Sequence, residues 1–259
     1  MELGIRLSAV AGMVSPGKCI ADIGCDHGFV SIALVQSGTA DRVIACDINK
    51  GPMEHAKQNI ELYGVKDSIE IRLGNGFEPV KKGECDGAVI AGMGGPLALR
   101  ILFDGRDKIA DYKQIILQVQ SKLPLVRFIL DRWGFETTEE SMVSEDGKFY
   151  PVMKLFPTKK KEFYESAEID NSDFDAFLHL CEKQLLIQSS DYICSCTYGF
   201  KLLEDRSPYL AIFLGKEEER LLGIVEKLEK NPEDNKDRLA EILKEIDILM
   251  LAKWKLQGR

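Results

Sequence analysis

Lys18-Cys-Ile-Ala-Asp-Ile-Gly-Cys-Asp-His-Gly28 joins an apolar run to a glycine-rich turn. The apolar run predicts a short buried strand, and the apolar residues from Phe29 to Gln36 recur at helical spacing. Glycines at 24 and 28 allow a sharp turn and a close approach of the backbone to a ligand. The stretch therefore predicts a strand–turn–helix unit that carries a binding site on its turn.

The same alternation of strands and helices continues to about residue 157. Further strands are expected at 42–47, 68–73, 86–91 and 114–119, with helices at 53–63, after 95 and at 123–133. Such alternation predicts an α/β fold with a parallel sheet. Two last strand-like stretches, 135–143 and 148–156, are joined by a short turn and predict an antiparallel edge. This is the order of the seven-stranded class I (Rossmann-like) methyltransferase sheet, whereas a nicotinamide-binding domain would more often continue in βα units.

Residues 158–259 differ in character and are expected to form a mainly helical C-terminal domain after a domain spanning 1–157. Two long helical patterns, 210–229 and 237–254, are separated by the short polar loop 231–235. Their apolar residues recur at the spacing of a coiled-coil seam, which predicts a coiled-coil-like antiparallel hairpin. The alternative is that both helices pack on the sheet domain. The sequence assigns no structure to residues 162–200.

Composition indicates an ordinary soluble globular protein of 259 residues with a net charge of −8. No apolar stretch reaches the length of a membrane helix, and the N-terminus lacks the layout of a secretory signal. A cytoplasmic location is expected, with no membrane association and no obligate protein partner implied. The seven cysteines are interpreted mainly as buried core thiols, because Cys194-Ser-Cys196 with His179 and Cys181 matches no standard zinc spacing.

The charges of the turn favour one class of cofactor. Asp26 and His27 stand where a dinucleotide pyrophosphate would require bare amides at a helix N-terminus. A carboxylate there repels phosphate but suits the ammonium and sulfonium charges of S-adenosylmethionine. Asp47 ends the next strand, where a carboxylate can bind both ribose hydroxyls. A helix N-cap, which Asn49 could equally supply, is the alternative for that position.

Two further turns at strand ends complete the predicted cofactor site. Asn75 is the candidate for the adenine contact, with a simple turn-forming role as the alternative. Gly92-Met-Gly-Gly95 places small residues beside the expected position of methyl transfer, with a flexible loop as the alternative. The full set of predicted cofactor residues is Asp22, Gly24, Cys25, Asp26, Gly28, Asp47, Ile48, Asn75, Gly76, Ala91, Gly92, Met93 and Gly94.

Together these motifs resemble the bacterial tRNA (adenine-22-N1)-methyltransferases. The matching segments include residues 21–28, 45–49, 74–76, 90–95, 117–118 and 144–150, and the helical tail from Tyr198-Gly and Ser207-Pro is similar more loosely. The chain departs from the family at Asn75, where the family commonly has Asp. It also has Gln118-Val-Gln120 where the family tends to have Gln-Pro-Asn, and residues 162–197 do not align.

The resemblance implies transfer of a methyl group from S-adenosylmethionine to N1 of an adenine in tRNA, without a metal. For this reaction Asp26 and His27 are the candidate catalytic residues, with shaping of the ligand site as the alternative for both. The candidate substrate contacts are Gly95, Gln118, Tyr150, Arg6, Lys122 and Arg127. The alternatives are a core position for Tyr150 and solvated surface charge for the cations. Arg100, Arg106 and Lys159 to Lys161 are further candidates for RNA contact. The alternatives are a methyltransferase acting on another RNA, a small molecule or a protein, and a non-catalytic module that binds the cofactor or RNA.

Overall fold

A computed structural model describes residues 1–158 and 173–258, and its centre is a seven-stranded sheet. The strands are β1 (Gly17–Ile23), β2 (Ala40–Asp47), β3 (Ile69–Leu73), β4 (Gly87–Met93), β5 (Gln114–Val119), β6 (Phe135–Glu145) and β7 (Lys148–Pro157). Their order in the sheet is β3-β2-β1-β4-β5-β7-β6. The first five strands are parallel, and β7 runs antiparallel to both β5 and β6. The predicted parallel sheet and its antiparallel edge are thus confirmed.

Helices cover both faces of this sheet. Strand β1 lies between β2 and β4, so the strand order reverses there, and ligands of open α/β sheets bind at the carboxyl ends beside such a point. Ile23, Asp47, Met93 and Val119 end the four central strands at that edge. The helices of this half are α1 (Ile5–Gly12), α2 (Phe29–Gln36), α3 (Lys50–Leu62), α4 (Gly95–Asp104), α5 (Arg106–Ile109) and α6 (Leu123–Arg132).

The C-terminal half is helical over its described residues, as predicted. Its helices are α7 (Phe174–Leu186), α8 (Ser190–Tyr198), α9 (Phe200–Glu204), α10 (Pro208–Leu228) and α11 (Lys236–Leu256). Helices α10 and α11 pack on each other as a hairpin, with Leu214, Leu221, Ile242 and Leu249 of the predicted stripe buried. The hairpin also contacts α8 and strand β6. The alternative expectation, that these helices pack on the sheet domain, is therefore also correct in part.

Helix α7 lies within the region to which the sequence assigned no structure. Phe174, Leu178, Cys181 and Leu185 share its buried face and join the same apolar core as Phe103 and Trp133 of the sheet domain. Their helical spacing was a usable signal. Apolar contacts therefore cross the expected boundary at residues 157–158. Lys159 to Lys161 lie outside the described residues.

Helix α1 was also missing from the sequence-based prediction. It is short, and neither a side-chain cap nor an acidic first turn marks its start. Tertiary contacts with β6 and α2 stabilise it instead, and Val10 is fully buried there. This packing brings Arg6, close to the N-terminus, to the carboxyl edge of the sheet.

The cysteines are free thiols, and all seven are buried, which agrees with their interpretation as core residues. Cys19 and Cys85 lie closest together, with 3.2 Å between their sulfur atoms. Within the described ranges, no helix is long and apolar enough to cross a lipid bilayer.

Candidate functional site

The glycine-rich turn folds over the end of β2. The amides of Gly24 and Cys25 donate to the carbonyl oxygen of Cys46 at 2.8 and 3.0 Å. Gly24 has a φ of +74° and Gly28 a φ of +73°, the left-handed region in which glycine is favoured. A Cβ at Gly28 would lie 3.2 Å from that of Ala56, so the turn also packs tightly against α3. The sharp turn expected from the two glycines is present.

Three carboxylates, those of Asp22, Asp26 and Asp47, lie at this edge of the sheet. Asp22 is buried and accepts a hydrogen bond of 2.6 Å from the hydroxyl of Ser31. Burial raises the pKa of Asp22 to about 6, and the bond from Ser31 opposes part of that rise. The two oxygens of Asp47 accept the amides of Asp26 at 3.2 Å and Asn49 at 2.8 Å. The edge therefore carries a concentration of negative charge that suits a cationic ligand.

Asp47 does not cap the following helix through its side chain. Helix α3 has Asn49 as its N-cap residue, and no side-chain capping bond is formed there. The carboxylate of Asp47 instead holds the Asp26 amide, across the junction between the two turns. The geometry therefore does not support the alternative in which Asp47 serves as the N-cap of helix α3.

Asp26 and His27 form the outer rim of the turn. The Asp26 side chain is 67% exposed and lies 3.6 Å from Nε2 of His27. The imidazole of His27 stacks on that of His55, with 5.1 Å between centroids and nearly parallel planes. His55, on α3, carried no motif that the sequence could identify. Asn59 ties the two segments further by donating to the His27 carbonyl at 3.0 Å.

The loop after β3 places Asn75 and Gly76 on a cavity of about 350 Å³ that opens between this loop and α4. Gly76 has a φ of +53°, and the Asn75 carbonyl accepts the amide of Glu78 at 2.9 Å. Asn75 is exposed, so it is both part of a turn and available to a ligand. Lys108, which the sequence did not identify, supports the loop by donating to the carbonyls of Phe77 and Glu78 at 2.7 and 3.0 Å.

The turn after β4 meets Arg6, Gln118 and Tyr150. The β4–β5 register shifts between Ala91 and Met93, and Gly92 there has a φ of +82°. Gln118 accepts both the Gly92 amide at 3.2 Å and Nη1 of Arg6 at 3.1 Å. The Arg6 guanidinium lies 5.8 Å from the ring centroid of Tyr150. Predicted substrate and cofactor residues are thus neighbours here.

Three predicted substrate contacts are corrected by burial. Gln118 is fully buried, so its amide orients Arg6 and Gly92 and does not receive a base. Gly95 is buried, and a Cβ there would lie 2.4 Å from the Ser121 carbonyl, which makes it a packing residue. Arg127 has a side chain only 1% exposed and pairs with Glu140 at 2.8 Å. None of the three can contact RNA in this arrangement.

The remaining cationic candidates are accessible but engaged. Lys122 pairs with Glu182 at 2.8 Å, and its side chain is 58% exposed. Arg100 pairs with Asp104 at 2.9 Å. Arg106 donates to the Phe103 carbonyl at 2.8 Å and lies over that ring. Their roles in RNA binding stay predictions.

Comparison with known proteins identifies the family of this fold. Residues 3–153 match the family model described as a methyltransferase domain. The tRNA (adenine(22)-N(1))-methyltransferase of Bacillus subtilis is 37% identical over 153 residues, 59% of this chain and 64% of that protein. The matched region is therefore just under two thirds of the length of that relative.

Two crystal structures align over nearly the whole chain. The B. subtilis tRNA methyltransferase TrmK has a TM-score of 0.74 at 28% identity, covering 97% of this chain and 98% of its own. A Streptococcus pneumoniae protein described as a tRNA methyltransferase, solved in complex with S-adenosyl-L-methionine, has a TM-score of 0.68 at 28% identity. It covers 98% of this chain and 100% of its own. The chain belongs to the methyltransferase-domain family, and within it resembles the TrmK-type enzymes from the glycine-rich turn to the helical hairpin.

Proposed function

We propose that this protein transfers a methyl group from S-adenosylmethionine to N1 of an adenine in tRNA, adenine 22. The observation that carries the proposal is an acidic, glycine-lined edge beside the Arg6–Tyr150 pair. The name of the B. subtilis relative and the ligand of the S. pneumoniae structure support the same substrate and cofactor. The proposal places the enzyme with its tRNA in the cytoplasm.

The residues at this edge fit the cofactor. The negative charges of Asp22 and Asp26 suit its ammonium and sulfonium groups, and Asp47 at the end of β2 suits the two ribose hydroxyls. Gly24 leaves space at the turn that a Cβ would fill, 3.0 Å from Cε of Met93. Asn75, on the exposed loop after β3, is available to adenine. The cofactor supplies an electrophilic methyl group on its sulfonium.

Residues of the chain then orient the acceptor adenine and stabilise the positive charge that methylation leaves on it. N1 of adenine carries an in-plane lone pair, so orientation is the first requirement. Arg6 and Tyr150 offer a cationic and an aromatic surface beside the Gly92 turn. An adenine paired within tRNA must first leave its stack. Methylation leaves the base cationic, and we assign to the exposed carboxylate of Asp26 the role of stabilising that charge or accepting a proton from the exocyclic amine.

The direct test is incubation of the purified protein with labelled cofactor and unmodified tRNA transcripts, followed by mass mapping of the product. We expect one methyl group on adenine 22, and no label on a transcript with guanine at that position. Label at another position, or on a protein or small molecule and not on tRNA, would overturn the assignment. Cofactor binding without turnover would identify a binding module.

Cofactor affinity should depend on pH through Asp22. Its pKa of about 6 means that the carboxylate is mostly ionised at pH 7 and mostly protonated at pH 5. If only the protein with ionised Asp22 binds the cofactor, the dissociation constant should rise about tenfold as the pH falls from 7 to 5. Isothermal titration calorimetry at a series of pH values measures this. In Asp22→Asn, affinity should be low throughout and this pH step absent.

The same carboxyl group should affect stability with the opposite sign. Its folded pKa lies above the value near 3.9 of an unfolded chain, so ionisation opposes folding as pH rises towards and beyond 6. Without ligand, Asp22→Asn is therefore expected to unfold at a higher temperature than the parent protein near neutral pH. An equal or lower melting temperature would contradict the assigned cost of burying this charge.

We also propose that residues 1–157 form the catalytic domain and that the helical region after it assists in tRNA binding. Some cations of the hairpin are engaged with acids, for example Arg220 with Glu217 and Lys253 with Glu218. A modest contribution to phosphate binding is therefore expected. Replacing residues 223–241 by a short glycine–serine loop should raise the KM for tRNA about threefold and leave cofactor affinity unchanged. An unchanged KM would remove the hairpin tip from the RNA surface.

A further inference from the structure

Gln118 occupies an unusual place for a polar side chain. It lies near the end of the central strand β5, of which every residue is buried, and is itself fully inaccessible to solvent. Its Oε1 accepts the amide of Gly92 at 3.2 Å and Nη1 of Arg6 at 3.1 Å. Its Nε2 donates to the carbonyl of Val119 at 3.2 Å. One amide group therefore joins the turn after β4 to the first helix of the chain.

A side-chain amide is suited to this position because it both accepts and donates. The donation to Val119 fixes which end of the amide faces the two donors. A glutamate would keep the acceptor but place negative charge against the Val119 carbonyl. A methionine has a similar length but cannot accept two strong hydrogen bonds. The Gly92 amide and the Arg6 guanidinium would then lose their shared acceptor.

The bond to Gly92 replaces a contact that the sheet cannot make. The β4–β5 register shifts at this point, and the left-handed φ of Gly92 turns its amide out of the ladder. Gln118 supplies the missing acceptor. A Cβ at Gly92 would lie 3.4 Å from Nη1 of Arg6, so the turn and the guanidinium pack closely against each other.

Arg6 retains hydrogen-bonding capacity after these contacts. Its backbone amide donates to Glu145, and its guanidinium lies over Tyr150. Among the residues that the structure describes, Gln118 is the one that accepts a bond from the guanidinium. A guanidinium presents five N–H donors in a rigid fork that matches the oxygens of a phosphate. Held over Tyr150, that fork lies beside the Gly92 turn.

We propose that Gln118 is a positioning residue that sets the Gly92 turn and Arg6 together, and that Arg6 binds an RNA phosphate next to the acceptor base. The proposal rests on the proposed tRNA methyltransferase function. It assigns Gln118 no contact with substrate. Its effect on tRNA passes through Arg6, and its effect on the cofactor passes through Gly92.

A double-mutant cycle tests this coupling. The variants are Arg6→Met, Gln118→Met and the two combined, with KM and kcat measured for tRNA and the dissociation constant measured for the cofactor. Arg6→Met should raise the KM for tRNA about tenfold, the effect of losing a hydrogen bond to a charged group, with cofactor affinity unchanged. Gln118→Met should raise the KM similarly and also weaken the cofactor. The double variant should show no larger KM than the more affected single variant.

Gln114 provides a matched control on the same strand. It is also buried, and its side chain accepts the amide of Ser15 at 2.8 Å and donates to the Ser15 carbonyl at 2.7 Å, at the opposite end of β5. Gln114→Met should lower the melting temperature without changing the KM for tRNA or the affinity for the cofactor. Gln118→Glu, which keeps the acceptor, should recover part of what Gln118→Met loses.

Hydrogen exchange separates this proposal from the proposed function. The Gly92 amide should exchange faster in Gln118→Met than in the parent protein and in Gln118→Glu, without tRNA present. Unchanged exchange would overturn the positioning role, even if the enzyme methylates tRNA. Effects of Arg6→Met and Gln118→Met on KM that multiply in the double variant would overturn the coupling. Failure of the parent protein to methylate tRNA would refute the proposed function and the phosphate contact, while the exchange result would still decide the role of Gln118.

Discussion

Arg127→Met is expected to lower the free energy of unfolding by about 3–5 kcal/mol, the usual cost of removing one partner of a buried ion pair. The guanidinium Nε lies 2.8 Å from Oε1 of Glu140, and the two side chains are 1% and 0% exposed. Nη1 also donates to the carbonyls of Cys196 and Thr197 at 2.9 and 3.1 Å. The variant would leave the Glu140 carboxylate buried without its countercharge.

The pair joins three parts of the fold. Arg127 lies on α6, Glu140 on β6, and the two carbonyls at the end of α8. The second carboxylate oxygen accepts the amide of Lys201 at 2.9 Å, within the first turn of α9. Gly199 precedes that helix with a φ of +103°, and a Cβ there would lie 2.7 Å from the same oxygen. The loss should therefore loosen the attachment of the C-terminal helices.

Urea unfolding of three proteins measures this effect. The control is Arg127→Met combined with Glu140→Leu, which removes both charges and should recover part of the lost stability. Recovery should be incomplete, because the carbonyls of Cys196 and Thr197 still lose their donor. A single variant within 1 kcal/mol of the parent protein, about the value of an exposed pair, would show that the pair contributes little.

Arg127 also illustrates how much the sequence reveals. It lies four residues after Leu123 and three before Leu130, on the apolar face of its own helix, so spacing alone indicated burial. Its positive charge instead suggested a contact with RNA. The partner on β6 could not be predicted, because pairing between distant segments leaves no periodic signal in one sequence. Gln118 is similar, since a polar residue within a buried parallel strand indicates an orienting role.

The carboxyl edge of the sheet was the most predictable part of the molecule. Gly24, Gly28 and Gly92 were identified because the backbone conformations required there exclude most other residues, and each has a positive φ. The strands were identified because central parallel strands are continuously apolar. Helix α1 and His55 were missed, because both are placed by tertiary contacts and not by local pattern. The parts that the sequence left open are thus those fixed by long-range packing.

Asp26→Asn is expected to reduce kcat for tRNA methylation by about 10²–10⁴-fold, the range for a residue that acts in general acid–base catalysis. Asp26 has a φ of +50°, a left-handed conformation that asparagine also tolerates, so the backbone of the turn should survive the change. Its amide still donates to Asp47. The substitution therefore removes charge and proton-accepting capacity while retaining shape.

Single-turnover rates and cofactor titration together decide the role of Asp26. We expect the dissociation constant of the cofactor to change only a few-fold, because Asp22 and Asp47 remain, and the melting temperature to stay near that of the parent protein. His27→Gln removes the neighbouring imidazole, 3.6 Å from the carboxylate, and should have the smaller effect if that ring only orients Asp26. A rate for Asp26→Asn within about threefold of the parent protein would contradict a catalytic carboxylate. Weak cofactor binding alone in that variant would restrict Asp26 to shaping the cofactor site, because a proton acceptor must affect the chemical step even when the cofactor is saturating.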